Sequence, residues 1–196
     1  MTREKLIIAT NNQGKVREIK EIFKGEFLNI VSLKDENLDI DVVEDGQTFM
    51  ENALKKANAV YEATKVPSLA DDSGICVDAL NGAPGIFSAR FAGEYATDEE
   101  NNQKLIALMK DVPEDKRGAK YVCAVVLKID EETIITAYGE LKGKIICDAR
   151  GTNGFGYDPY FYLEEYGQTT AQIPPELKNK ISHRGRALKN LREKLL

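Results

Sequence analysis

The chain has 196 residues, 27 of them basic and 32 acidic, for a formal net charge of −5. That length suits a single domain spanning residues 1–196, or one domain with two lobes, and can bury a core without disulfide or metal staples. The acidic surplus argues against a broad electrostatic grip on nucleic acid but leaves room for a small anion held by a few lysines and arginines.

The opening stretch, MTREKLIIATNN, has an apolar run far too short for a signal h-region or a membrane span, so a reducing, cytoplasmic setting is expected. Residues 5–9 (KLIIA) predict a short buried strand, and the polar residues 10–14 a turn. Val16, Ile19, Ile22 and Phe23 recur at helical spacing over residues 15–23, which makes strand–turn–helix the first unit. Residues 48–64 predict a second helix with Phe49, Ala53, Ala57, Val60 and Tyr61 on one face and a capping box from Thr48 to Glu51.

Residues 68–77 (SLADDSGICV) predict a strand interrupted by acids and a glycine. Thr97 and the acids Asp98, Glu99 and Glu100 open a helix expected to run to Met109. Residues 121–129 and 133–138 predict a hairpin turning at Asp130-Glu131-Glu132. Residues 151–160 (GTNGFGYDPY) read as a loop, and a last helix is expected over about 185–195. Helices and strands interleave without strict alternation, and the hairpin requires antiparallel pairs. The expectation is an α/β protein with a mixed β-sheet flanked by helices. Cys76, Cys123 and Cys147 lie in apolar stretches with no CxxC spacing, so they read as small hydrophobes.

Four constellations carry potential chemistry. Thr10, Asn11, Asn12, Gln13, Gly14 and Lys15 join a strand to a helix, where backbone N–H groups, small polar side chains and a lysine suit a phosphate. Ala9 and Val16 stand where a Walker A loop has glycine and Ser/Thr, and the segment alone also reads as an ordinary capped turn. Asp71 and Asp72 sit between apolar flanks, and neighbours on a strand point to opposite faces, so only one readily faces a given site. A buried strand bearing two acids needs a metal, a cation or donors to satisfy them. Glu44 and Asp45 add acids suited to Mg²⁺, or else to a solvated turn.

The third constellation is GTNGFGYDPYF, whose Phe155 and Tyr157 among glycines suit stacking on a flat heterocycle, with Asp158 as an acceptor. A glycine-rich turn that folds its aromatics into the core fits the same residues. The fourth is Lys178 with Ser182-His183-Arg184-Gly185-Arg186, which offers convergent donors to an oxygen-rich ligand. His183 is the only histidine, which makes it a poor metal candidate. Lys55, Lys56 and Arg90 read equally as surface charges. Taken together, an anion cradle, acids for a metal, a ring-stacking loop and a donor cluster specify a nucleotide site.

In order along the chain, TNNQGK (10–15), EDGQTFMENALKKA (44–57), LADDSGICVDALNGAPGIFSARFAG (69–93), GTNGFGYDPYF (151–161) and SHRGRAL (182–188) resemble the Ham1 family of inosine triphosphate pyrophosphatases. The resemblance covers essentially the whole chain. It implies an elongated mixed sheet with two α/β lobes around a central active-site cleft, usually assembled as a homodimer. It also implies Mg²⁺-dependent hydrolysis of non-canonical purine triphosphates (ITP, dITP, XTP) by attack of water on the α-phosphorus.

By that resemblance, Thr10 to Lys15 hold the triphosphate and Lys56 adds charge to it. Glu44 and Asp72 bind magnesium, Asp72 also accepts the proton of the attacking water, and Ser73 contacts the nucleotide. Phe155, within Phe155-Gly156-Tyr157-Asp158, stacks on the base. Asp158 and Lys178 contact the nucleotide, while His183 and Arg184 read the purine 6-oxo edge. The competing readings are a nucleotide-binding module that does not cleave its ligand and a Maf-type pyrophosphatase.

Overall fold

The computed structural model describes residues 3–195; Met1, Thr2 and Leu196, the ends of the expected 1–196 domain, lie outside the described residues. The strands are β1 (Arg3–Ile8), β2 (Phe27–Ser32), β3 (Ser68–Val77), β4 (Gly118–Lys128), β5 (Ile134–Ile145), β6 (Phe161–Leu163) and β7 (Gln168–Thr169). The α-helices are α1 (Gln13–Ile22), α2 (Phe49–Thr64), α3 (Asp98–Met109), α4 (Pro175–Ile181) and α5 (His183–Leu195). The strands form one seven-stranded open sheet in the order β2-β1-β3-β4-β5-β6-β7. β1 runs parallel to β2 and β3, whereas β6 runs antiparallel to β5 and β7, so the sheet is mixed as expected.

The chain forms two compact units. The first comprises residues 1–72, 123–139 and 184–196, and the second residues 73–122 and 140–183. In the first unit the period-2 alternation of the strands sorts the core into two layers. Leu6, Ile8, Leu69, Cys123, Val125 and Leu127 pack with Val16 and Ile19 of α1, with Phe23 just after it, and with Ala187, Leu188 and Leu191 of α5. The intervening positions Ile7, Ala9, Ala70 and Val126 pack with Ala53, Ala57 and Val60 of α2. Helices on both faces explain why LIIA and CAVVL are continuous apolar runs rather than alternating ones. Burial pushes the Cys123 thiol well above its ordinary pKa, in keeping with a cysteine used as a hydrophobe.

The second unit packs Ile75 and Val77 of β3, Leu105 and Met109 of α3, Tyr121 of β4, and Leu141 and Ile145 of β5 around Phe161. The Phe161 ring lies 4.4 Å from that of Tyr121, tilted by 42°. It also lies against the β5 backbone at Gly143, where an added Cβ would come within 2.7 Å of its ring. The glycine in this strand is therefore a close-approach residue.

Two caps differ in detail. Thr97 and Glu100 form a full capping box on α3. At α2 the Thr48 side chain accepts from Glu51 N, but Glu51 Oε2 reaches back to Gln47 N instead of the cap residue. β5 runs on to Ile145, beyond the expected 138, and α5 starts at His183 rather than 185. Among the described residues no helix is long and apolar enough to cross a membrane.

Because Phe161 is fully buried, Phe161→Ala is expected to cost about 3–5 kcal/mol in urea unfolding. A loss under about 1 kcal/mol would show that the second unit does not depend on this ring.

Candidate functional site

β1 delivers the chain to Thr10, and Asn12 caps α1. The Asn12 Oδ1 accepts from Gly14 N at 2.9 Å and Lys15 N at 3.1 Å, and Thr10 Oγ1 accepts from Asn12 N at 3.2 Å. Asn11, Asn12 and Gln13 are exposed and Thr10 and Gly14 half-buried. The expected phosphate cradle is thus a capped helix N-terminus whose first amides bond the Asn12 side chain. The Lys15 ammonium points back to Asp71, 3.1 Å from its Oδ2.

The two acids of β3 are divided by strand alternation. Asp71 shares the parity of Leu69 and faces α1 and α5; Asp72 shares that of Ala70 and faces α2. Asp71 is only 1% exposed and Arg184 2%. Arg184 Nε donates to Asp71 Oδ2 at 3.1 Å, and its Nη1 forms a short ion pair with Glu18. Burial alone would raise the Asp71 pKa, but the charges of Lys15, Arg184 and Lys56 hold it well below the usual carboxylate range. Burial likewise works against the Arg184 charge, which Asp71 and Glu18 more than restore.

On the other face Asp72 Oδ2 accepts from Asn52 Nδ2 at 3.1 Å, and Lys56 Nζ lies 3.5 Å from Asp72 Oδ1 and 3.2 Å from Glu44 Oε2. Asn52 and Lys56 are one turn apart on α2, so they present to the same face. Asn52 Oδ1 also accepts from Gly46 N at 2.8 Å. A Cβ at Gly46 would collide with Glu51 Cβ at 2.9 Å, so only glycine lets the 44–46 segment lie this close to α2. Asp45 pairs instead with Lys55 at the surface. Burial raises the Asp72 pKa, and the Lys56 and Lys15 charges oppose that without overcoming it. Burial works against the Lys56 ammonium, but Asp72, Glu44 and Asp71 outweigh it and raise its pKa.

The donor set suits a hard cation. Two carboxylates, Glu44 and Asp72, already converge on one ammonium, and Mg²⁺ is commonly held by one or two carboxylates with substrate phosphates completing its shell. No cluster of three or more His, Cys, Asp or Glu side chains suited to a metal occurs among the described residues.

In the second unit the glycine-rich loop is built around Asp158, which is buried. Asp158 Oδ2 accepts from Phe155 N at 2.9 Å and from Lys178 Nζ at 2.6 Å, and its Oδ1 from Thr170 Oγ1 at 2.8 Å. Gly154, at φ +80°, leaves no room for a side chain, since a Cβ would meet the Asp158 carboxylate and lie 2.9 Å from Lys178 Nζ. The Lys178 ammonium stands 4.9 Å from the centre of the Phe155 ring, which is half-buried. Tyr157 folds into the core, and its hydroxyl donates to Ser88 O at 2.7 Å. His183 is buried and stacks on Tyr121, with ring centres 4.6 Å apart and planes within 12°. Ser73 is half-buried on β3.

The structure therefore gathers Lys15, Glu44, Lys56, Asp72 and Arg184 in the first unit, and Phe155, Asp158, Lys178 and His183 in the second. Sequence reasoning passed over Glu18, Asn52, Tyr121 and Thr170, and it gave Asp71 no role of its own. Spacing held a signal for two of them: Glu18 follows Lys15 by three residues, and Asn52 precedes Lys56 by four. Tyr121 and Thr170 come from segments far off in the chain and carried none.

An open mixed sheet flanked by helices, with buried acids of β3 paired to lysines of α1 and α2, places the chain in the class of α/β proteins that carry a charged site on the sheet. Within that class the chain belongs to the Ham1 family, a model of which matches residues 6–194. It is 50% identical to a dITP/XTP pyrophosphatase of Clostridium perfringens, over 98% of this chain and 97% of that one. It is 45% identical to the Escherichia coli dITP/XTP pyrophosphatase over 98% of both. Among solved structures, the Ham1 proteins of Coxiella burnetii and Staphylococcus aureus each match 98% of both chains. Their TM-scores are 0.87 and 0.86, at 38% and 40% identity.

The Asp158–Lys178 pair is buried on both sides, with side chains 4% and 7% exposed. Asp158→Asn removes the carboxylate paired with the buried Lys178 ammonium and is expected to cost about 3–5 kcal/mol in urea unfolding. Adding Lys178→Met, which removes the buried charge as well, should recover much of that loss. A fully stable single variant would mean the pair does not hold the loop.

Proposed function

We propose that this chain is a nucleoside-triphosphate pyrophosphatase that hydrolyses unwanted purine triphosphates such as ITP, dITP and XTP to the monophosphate and pyrophosphate. Residues 1–196 act as a single domain, as a cytoplasmic homodimer, with Mg²⁺ as cofactor. The observation that carries the reading is the convergence of Glu44 and Asp72 on Lys56, in a chain half identical to a dITP/XTP pyrophosphatase.

Transfer to water at phosphorus depends mainly on positioning and charge stabilisation, so acids and lysines matter more than a covalent nucleophile. Thr10 to Lys15 and Lys56 hold the triphosphate. A phosphate at the α1 N-terminus competes with the Asn12 side chain for the Gly14 and Lys15 amides. Glu44 and Asp72 would hold the magnesium ion, which when bound would supply positive charge against the phosphate oxygens. Asp72 takes a proton from the attacking water. The new bond forms between the water oxygen and the α-phosphorus, and the bond from that phosphorus to the bridging oxygen breaks. Pyrophosphate leaves with the bridging oxygen.

Ser73 contacts the nucleotide and Phe155 stacks on the base, with Gly156, Tyr157, Asp158 and Lys178 fixing that ring or touching the nucleotide beside it. His183 and Arg184 read the 6-oxo edge. Arg184 can only donate, which favours an oxygen over the amine of ATP, and Asp71 and Glu18 fix the guanidinium for that task. A binding module that does not cleave its ligand and a Maf-type enzyme are not favoured, because the related proteins named above are pyrophosphatases of the Ham1 family.

The test is product analysis across ITP, dITP, XTP and ATP with Mg²⁺, separating pyrophosphate from orthophosphate. ITP should give IMP and pyrophosphate in equal amounts, with ATP consumed far more slowly. IDP and orthophosphate as primary products would overturn the proposal.

A further inference from the structure

α3 carries two side chains, outside the triphosphate chemistry, that close on a single residue of the glycine-rich loop. Asp98 lies in the first turn, behind the Thr97–Glu100 capping box, and Asn102 follows one turn later on the same face. Asp98 Oδ2 accepts from Gly156 N at 2.8 Å, and Asn102 Nδ2 donates to Gly156 O at 3.0 Å. Both polar groups of the residue next to Phe155 are thus tied to one helix. Gly156 sits at φ +62°, where an added Cβ would meet nothing within 4 Å. Glycine is needed here for the left-handed backbone rather than for space, and that backbone turns both of its polar groups to α3.

The neighbouring Asn101 holds the preceding segment in a similar way. Its Nδ2 donates to Ala89 O at 3.1 Å and its Oδ1 accepts from Ala92 N at 2.8 Å. Ser88, in that same segment, receives the Tyr157 hydroxyl. The amide of Asn102 is oriented by its bond to the Gly156 carbonyl, since turning it over would set two acceptors together. In this orientation its Oδ1 is buried without a hydrogen-bond partner among the described residues. A buried acceptor left bare costs stability, so packing alone does not explain an asparagine here.

We propose that Asp98 and Asn102 are positioning residues for base binding: by gripping the Gly156 peptide groups they set the orientation of the Phe155 ring. The inference rests on the proposed role of Phe155 as the stacking residue. Stacking lost with the ring should appear in KM rather than kcat, because it serves ground state and transition state alike.

The experiment measures kcat and KM for ITP in Phe155→Ala, Asp98→Ala, Asp98→Asn, Asn102→Ala and the double variants with Phe155→Ala, together with their unfolding midpoints. Phe155→Ala should raise KM by ~10- to 100-fold. Asp98→Ala and Asn102→Ala should each raise KM by a smaller factor with kcat little changed. Asp98→Asn keeps an acceptor for Gly156 N and should restore most of the affinity. In the Phe155→Ala background neither alanine substitution should raise KM further, because the ring they orient is gone.

If Phe155→Ala leaves KM unchanged, the stacking reading fails and the positioning proposal with it. If Phe155→Ala raises KM, the positioning proposal alone is overturned by either of two results. One is alanine variants at 98 and 102 that leave KM unchanged; the other is losses that add in full to that of Phe155→Ala. Asp98 is exposed, so Asp98→Ala leaves the core intact and keeps the test valid if Asn102→Ala folds poorly.

Discussion

A carboxylate with almost no access to water has to be met by positive charge, and Asp71 is met twice. Lys15 comes from the first turn of α1 and Arg184 from the first turn of α5, so one side chain on β3 fixes the N-termini of two helices. Glu18 closes the network by pairing with Arg184 from the next turn of α1. Removing one member of such a network leaves an uncompensated buried charge, which is far more costly than an exposed pair is beneficial. The placement of the loop before α1 and of the segment at Arg184 therefore depends on an acid that touches neither water nor, in the proposed reaction, substrate.

The pleat of the strand then does the rest. Asp72, one residue on, points to the opposite face and meets α2, whose Asn52 and Lys56 stand one turn apart. Two adjacent residues thus serve separate purposes: one orders the first turns of α1 and α5, the other lies with Glu44 beside a lysine. The raised pKa of Asp72 and the lowered pKa of Asp71 express the same division. Burial prevails on one face, and the Lys15 and Arg184 charges prevail on the other.

Much of this was legible in the sequence, and the reasons are local. The strand–turn–helix opening, α2, α3 and the β4–β5 hairpin follow from periodicity and capping residues. The opposed directions of Asp71 and Asp72 follow from strand geometry alone. Which of them is expected to face the chemistry comes only from the family's pattern of motifs, and the amount that depends on Asp71 did not show at all, because its partners lie 56 and 113 residues away. β2 was missed because its burial does not alternate, and β6 and β7 because runs of three and two residues carry no period. Asp158 and Lys178 were visible as polar residues near a glycine-rich loop, but only the fold shows that they bond each other. The single histidine, a poor metal candidate from its solitude, is held by a ring 62 residues earlier in the chain.

Asp71 and Asp72 point to opposite faces of one strand, and the most direct test of their separate roles measures stability and turnover together in Asp71→Asn and Asp72→Asn. Asp71→Asn should lose about 3–5 kcal/mol in urea unfolding, since it removes the buried carboxylate that faces both Lys15 and Arg184. Asp72→Asn should keep its fold and lose ~10²- to 10⁴-fold in kcat on ITP. A stable Asp71→Asn, or a folded Asp72→Asn with turnover near that of the unaltered protein at saturating Mg²⁺, would contradict the account.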